Sequence, residues 1–96
     1  MQLKTILKNQ RNEILQIAQR YGAHNVRVFG SAAHGNDTQD SDIDFLVDLE
    51  KGRSIFDLGG LVFDLQKLLN RKVDVVTEKG LHWYIKSKIL REAEPL

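Results

Sequence analysis

The stretch VFGSAAHGNDTQDSDIDFLVDL, residues 28–49, holds the side chains of this chain best placed to do chemistry. Asp42 and Asp44 stand one residue apart inside an otherwise apolar run. On an extended chain alternate side chains share a face, so both carboxylates point the same way, their Cα atoms roughly 6.5–7 Å apart. Two carboxylates held that close repel unless a proton or a cation lies between them. Each is costly to bury unpaired. Asp74, within KVDVVT, interrupts a second apolar alternation. If its strand lies beside that of Asp42 and Asp44, all three carboxylates converge on one patch. Oxygen ligands in a chain without cysteine suit a hard cation, Mg²⁺ or Mn²⁺. A D-x-D pair alone is weak evidence, because it is more often a solvated strand face or a turn. Asp37, Asp40 and Asp48 read as such surface residues.

Gly30 and Ser31 add a second kind of group. Gly30 removes a side chain where a ligand must approach. Ser31 offers a hydroxyl where a helical turn can begin, and the leading amides of such a turn face an anion. Gly35 lets the following loop turn sharply. Phosphate donors on one side and metal-binding carboxylates on the other are the parts of phosphoryl or nucleotidyl transfer. In that chemistry Asp74 either holds a second metal or takes the proton of the attacking hydroxyl.

The elements that must position these groups can be read from periodicity. Leu3, Ile6, Leu7, Ile14, Leu15, Ile17, Ala18 and Tyr21 recur near a helical period, which predicts a helix over 3–21 with Gly22 as its stop. Residues 25–29 alternate and are β-branched, a strand. Residues 30–41 are a loop with one helical turn over 31–34. Residues 42–49 are a second strand, with Ile43, Phe45 and Val47 on one face and Asp42, Asp44, Leu46 and Asp48 on the other. Ser54 and Asp57 resemble a capping box opening a helix to Asn70. Gly59 and Gly60 weaken that helix by about 1 kcal/mol each relative to alanine, and are expected to let it approach the sheet closely. Residues 72–77 are a third strand, and 82–93 a last helix, ended by Pro95. The order predicts an α/β (α+β) domain, a small mixed β-sheet covered by helices.

With 96 residues, the chain suits a single domain over 1–96. Fourteen basic residues against thirteen acidic ones give a net charge of +1, which makes no case for nucleic acid as the main partner. The N-terminus has no apolar signal core, and no run reaches the roughly 20 apolar residues that span a bilayer. These features predict a cytoplasmic protein with no membrane association.

GSAAHGNDTQDSDIDFLV resembles the GS-x10-D-x-D signature of the DNA polymerase β-like nucleotidyltransferase superfamily. Length, layout and the ending IKSKILREAEPL resemble its smallest branch, the minimal nucleotidyltransferases. The resemblance implies a polymerase β-like core in which Gly30 and Ser31 contact nucleotide phosphates. By the same match Asp42, Asp44 and Asp74 are the catalytic carboxylates and bind two divalent ions, Mg²⁺ or Mn²⁺, with ATP as substrate. Many members of this branch are similar to antitoxins paired with a HEPN toxin, and in that family pattern they transfer AMP from ATP onto a tyrosine of the toxin. A hetero-oligomer with such a toxin is therefore implied. Relatives commonly carry arginine where this chain has His34, so a nucleotide-binding role for His34 lacks the fixed charge and fork of a guanidinium.

Two other functions compete. A catalytically silent antitoxin would inhibit by binding alone, and an enzyme could add a nucleotide to a small molecule or RNA. The small size of the chain implies that another chain supplies the acceptor. Trp83 and Tyr84 either face that partner or cap the core.

Overall fold

The computed structural model describes residues 3–34 and 41–96, His34 by its backbone only. The expectations for Gly35, Asp37, Asp40 and the His34 side chain lie outside the described residues. The chain forms α1 (Leu3–Asn9), α2 (Arg11–Arg20), β1 (Ala23–Phe29), α3 (Ser31–His34), β2 (Ile43–Leu49), α4 (Ile55–Leu69), β3 (Val73–Thr77), α5 (Trp83–Glu92) and β4 (Glu94–Pro95).

The predicted first helix is two helices. The break falls at Gln10, inside the polar run from Lys8 to Asn12, where no apolar side chain holds a common face. The bend lets Leu3 and Leu7 of α1 and Ile14 and Ala18 of α2 reach the core separately. Gly22, at φ +75°, follows α2 as the expected left-handed stop. The capping box at α4 is present: Ser54 Oγ accepts from the Phe56 amide at 3.2 Å, and Asp57 Oδ2 accepts from the Ser54 amide at 2.9 Å.

The sheet is mixed, in the order β3-β2-β1-β4. β1 runs antiparallel to β2 and β4, and β2 parallel to β3. A register shift between His24 and Arg27 coincides with Asn25 at φ +51°. Val26 and Val28 of β1, Ile43, Phe45 and Val47 of β2, and Val73 and Val75 of β3 are buried against Leu61, Leu65 and Leu69 of α4 and the residues of α1 to α3. The strand alternation thus assigns one face to the core and sends Arg27, Phe29, Asp44, Leu46 and Asp74 to the other.

β4 corrects the expectation that Pro95 merely ends the last helix. Arg27 and Val28 pair with Pro95 and Glu94, and the Leu96 amide donates to the Val26 carbonyl at 3.1 Å. Proline suits this edge position because an edge strand needs no donor on its outer side. Arg11 Nε, at 2.9 Å from the Leu96 carbonyl, clips the tail to α2.

The path from β3 to β4 fixes where α5 lies. The β2–α4–β3 step moves toward one edge of the sheet, whereas β3–α5–β4 returns across β2 and β1 to the other. Crossovers joining parallel strands are right-handed, so helices on two steps in opposite directions occupy opposite faces. α4 is on the core face, which places α5 on the face of Arg27, Asp44 and Asp74. Lys86 of α5 agrees: its Nζ lies 3.9 Å from Glu78, which in turn meets Arg27 at 3.5 Å. No described helix is long and apolar enough to cross a membrane.

Candidate active site

Asp44 lies between Phe29 of β1 and Asp74 of β3, its register partners on either side. The two carboxylates therefore share one row of the sheet, though thirty residues separate them in sequence. Asp42 stands just before β2, which begins at Ile43 rather than at Asp42 as predicted. Its Oδ2 is 3.9 Å from Lys72 Nζ, and the Ile43 amide donates to the Lys72 carbonyl at 3.0 Å. The parallel pairing thus begins at Ile43, directly after Asp42, and sets Asp44 and Asp74 near the opening of the two strands.

The environment of Asp44 differs from those of its neighbours. Asp44 is half-buried while Asp74 is exposed. Burial pushes the Asp44 carboxyl above the ordinary aspartate value, and the negative charges of Asp74 and then Asp42 push it further. Gly30 sits against this carboxylate. Its φ is +69°, and a Cβ built there would meet Asp44 Oδ2 at 2.7 Å. Glycine is needed at this position for both backbone and space.

Gly30 leads directly into α3. Ala32 and Ala33 are buried in the core, and the Ala33 amide donates to the Gly30 carbonyl at 3.1 Å. These contacts hold the half-buried Ser31 at the sheet end beside the carboxylates. The expected helical turn over 31–34 is present. The three carboxylates share a face, but among the described residues no three acidic or histidine side chains close on one point as a ready ligand set. Asp42 leans toward Lys72 instead.

Arg27 is a feature that the motif reading missed. Its guanidinium bridges from β1 across β2, reaching Asp48 at 3.2 Å and Glu78 at 3.5 Å. Only 12% of its side chain is exposed, and it shares a row with the fully buried Leu46. Asp48, expected to be a plain surface residue, is one anchor of this strap. An arginine on the non-core phase of a strand is the signal that sequence offered. Next to the strap opens a cleft of about 730 Å³, lined by His24, Asp48, Lys51, Lys79 and Lys86 among others. It lies about 13 Å along β2 from Asp44, at four residues' rise, and is lined by none of Asp42, Asp44 and Asp74.

The Nucleotidyltransferase domain family model matches residues 7–96. The chain belongs to the nucleotidyltransferase family. This nucleotidyltransferase is 34% identical over 91 residues to the protein adenylyltransferase MntA of Thermococcus cleftensis, covering 95% of this chain and 89% of that one. A solved structure provisionally described as a minimal nucleotidyltransferase superposes with a TM-score of 0.88 at 45% identity, over 100% of this chain and 97% of that one. The toxin–antitoxin structure MntA–HepT shares the fold, with a TM-score of 0.69 at 17% identity over 91% of this chain and 68% of that one. The mixed sheet and the helical layer are those expected from the sequence.

Proposed function

We propose that this nucleotidyltransferase moves AMP from ATP to a hydroxyl of a partner protein, a tyrosine of a HEPN-type toxin, and so acts as an antitoxin. The observation that carries the reading is the cluster Gly30, Asp44 and Asp74: a carboxylate packed against a glycine and paired in register with a second one. It stands in a chain 34% identical to a protein adenylyltransferase.

The donor set suits divalent metal. Hard oxygen ligands are gathered on one face, and Asp44 carries a raised pKa, in part from mutual repulsion that a cation would relieve. Asp42, Asp44 and Asp74 are the residues that would hold Mg²⁺ or Mn²⁺. Bound there, the ions would neutralise the triphosphate and the charge developing at the α-phosphorus. Gly30 admits the phosphates close to the backbone, and Ser31 and the leading amides of α3 orient them. His34 is proposed to line the same phosphates. The acceptor oxygen forms a bond to the α-phosphorus as the bond to the β-phosphate oxygen breaks and pyrophosphate leaves. The exposed Asp74 carboxylate is the proposed acceptor of the hydroxyl proton.

The test is intact-mass analysis of a purified HEPN toxin incubated with this chain, ATP and Mg²⁺. An adenylyl adduct on a tyrosine is expected, absent with Asp42→Asn or Asp44→Asn. No adduct at saturating ATP refutes the reading. A second reading, inhibition by binding alone, is favoured by the absence of a closed three-ligand set among the described residues. It requires that the double substitution Asp42→Asn/Asp44→Asn still neutralise the toxin in cells.

A further inference from the structure

Among the described residues two apolar surfaces are left open. Ile55, Phe56 and Phe63 project from α4, and Trp83, Tyr84, Ile85 and Leu90 from α5. Their positions separate them. The α4 patch lies on the helical layer, behind the sheet from the carboxylates. α5 crosses the carboxylate face, and none of its residues is buried.

The wheel of α5 divides its work. Lys86, Ile89 and Glu92, the half-buried residues of the helix, form the side turned to the sheet, where Lys86 meets Glu78. Trp83, Ser87 and Leu90, at i, i+4 and i+7, form an outward stripe. Tyr84, Lys88 and Arg91 form a parallel one beside it. Trp83 and Tyr84 are each 76% exposed. At 150–250 Å² of buriable surface per aromatic side chain, the pair alone leaves roughly 300 Å² open. That is more than a third of the roughly 800 Å² that a stable interface takes from one partner.

The rings are held in place before any partner arrives. His82 stacks on Trp83 with centroids 5.6 Å apart, and Tyr84 meets Trp83 edge-on at 5.8 Å. His82 Nδ1 accepts from the Tyr84 amide at 3.1 Å and caps the helix. Preordered aromatics lose little entropy on docking. Among the described residues Lys88 and Arg91 meet no carboxylate, so the flank of the stripe is an uncompensated positive edge.

We propose that the outward face of α5, with Trp83, Tyr84 and Leu90 as anchors and Lys88 and Arg91 as its charged edge, is the docking surface for the acceptor protein. The surface that fits it is an apolar groove rimmed by carboxylates. This rests on the protein-acceptor reading above. Docking there seats the acceptor on the same sheet face as Asp44 and Asp74, where its hydroxyl must arrive. The α4 patch would seat it behind the sheet.

The experiment uses a purified HEPN toxin that the wild-type chain adenylylates, and measures its Kd by calorimetry and the KM and kcat of AMP transfer. Trp83→Ala/Tyr84→Ala is compared with Phe56→Ala/Phe63→Ala. The α5 substitutions are expected to raise Kd and KM for the toxin at least thirty-fold, the loss of one interface anchor, while the Kd for ATP and the melting temperature stay at wild-type values. Lys88→Glu/Arg91→Glu is expected to raise KM and remove the salt dependence of association. Wild-type KM in the α5-substituted protein, or a Kd loss confined to the α4-substituted one, overturns the proposal. Absence of transfer by the wild-type chain refutes instead the function on which it rests.

Discussion

Replacing Asp44 by asparagine should make the metal-free protein more stable. Asp44 and Asp74 are register partners on adjacent parallel strands, so their carboxylates lie roughly 5 Å apart, the interstrand spacing. Two unit charges at that distance repel by about 3 kcal/mol at an effective dielectric of 20 and by about 0.8 kcal/mol in water. Asp74 is exposed, which sets the figure near the aqueous end, about 1 kcal/mol. Asp42 adds less, because it is farther away and Lys72 stands 3.9 Å from it. For a domain of this size about 1 kcal/mol raises the melting temperature by roughly 4–8 °C.

The pH dependence has a definite sign. The folded pKa of Asp44 is raised, so the folded state binds its proton more readily than the unfolded state does. Its contribution to stability is then fully favourable below the ordinary aspartate value of about 3.9 and is lost as pH rises through the raised folded value. The advantage of Asp44→Asn should therefore be present at neutral pH and vanish on acidification. Calorimetric melts of both proteins in chelator, across pH and then with Mg²⁺ added, check this. Mg²⁺ should stabilise the wild-type protein far more than it stabilises Asp44→Asn. An asparagine-substituted protein that is folded but less stable than wild type without metal would refute the repulsion argument. Equal Mg²⁺ stabilisation of the two would refute the ligand assignment.

Three further outcomes follow from single contacts. Gly30→Ala must place a Cβ 2.7 Å from Asp44 Oδ2 at a φ of +69°; it should lose about 1–2 kcal/mol in urea melts and abolish AMP transfer. Gly59 faces open space, whereas a Cβ at Gly60 would meet the Tyr21 ring. Gly59→Ala should accordingly gain about 0.5–1 kcal/mol and Gly60→Ala should lose stability despite the same propensity gain, as paired denaturation curves would show. Arg27→Ala strips the strap from the half-buried Asp48 and Glu78 and should cost about 1–3 kcal/mol, with recovery in the triple substitution Arg27→Ala/Asp48→Asn/Glu78→Gln.

The Gly60 contact also marks a limit of pattern in the sequence. Gly59 and Gly60 were expected to bring α4 close to the sheet. The close neighbour of Gly60 is instead Tyr21 at the end of α2, whose hydroxyl donates to Asp64 at 2.6 Å. A pattern of small residues announces a close approach without naming what approaches.

The sequence by itself determined the features whose signals are strongest within a few residues, although not the helix break at Gln10. The alternation around Asp42, Asp44 and Asp74 assigned them to the non-core face, because a strand's side chains have period two. Ser54 and Asp57 marked the start of α4, and Gly22 the end of α2, because caps and left-handed stops are local chemistry. The tertiary structure alone decided what met what. Parallel pairing set Asp44 beside Asp74, and folding brought Gly30 against the Asp44 carboxylate. The direction of the last crossover put α5 on the carboxylate face, and the edge left by β1 took the short β4. Register and crossover side follow from burying one shared core and from the handedness of connections. Both are properties of the assembled sheet that no single strand's residues carry.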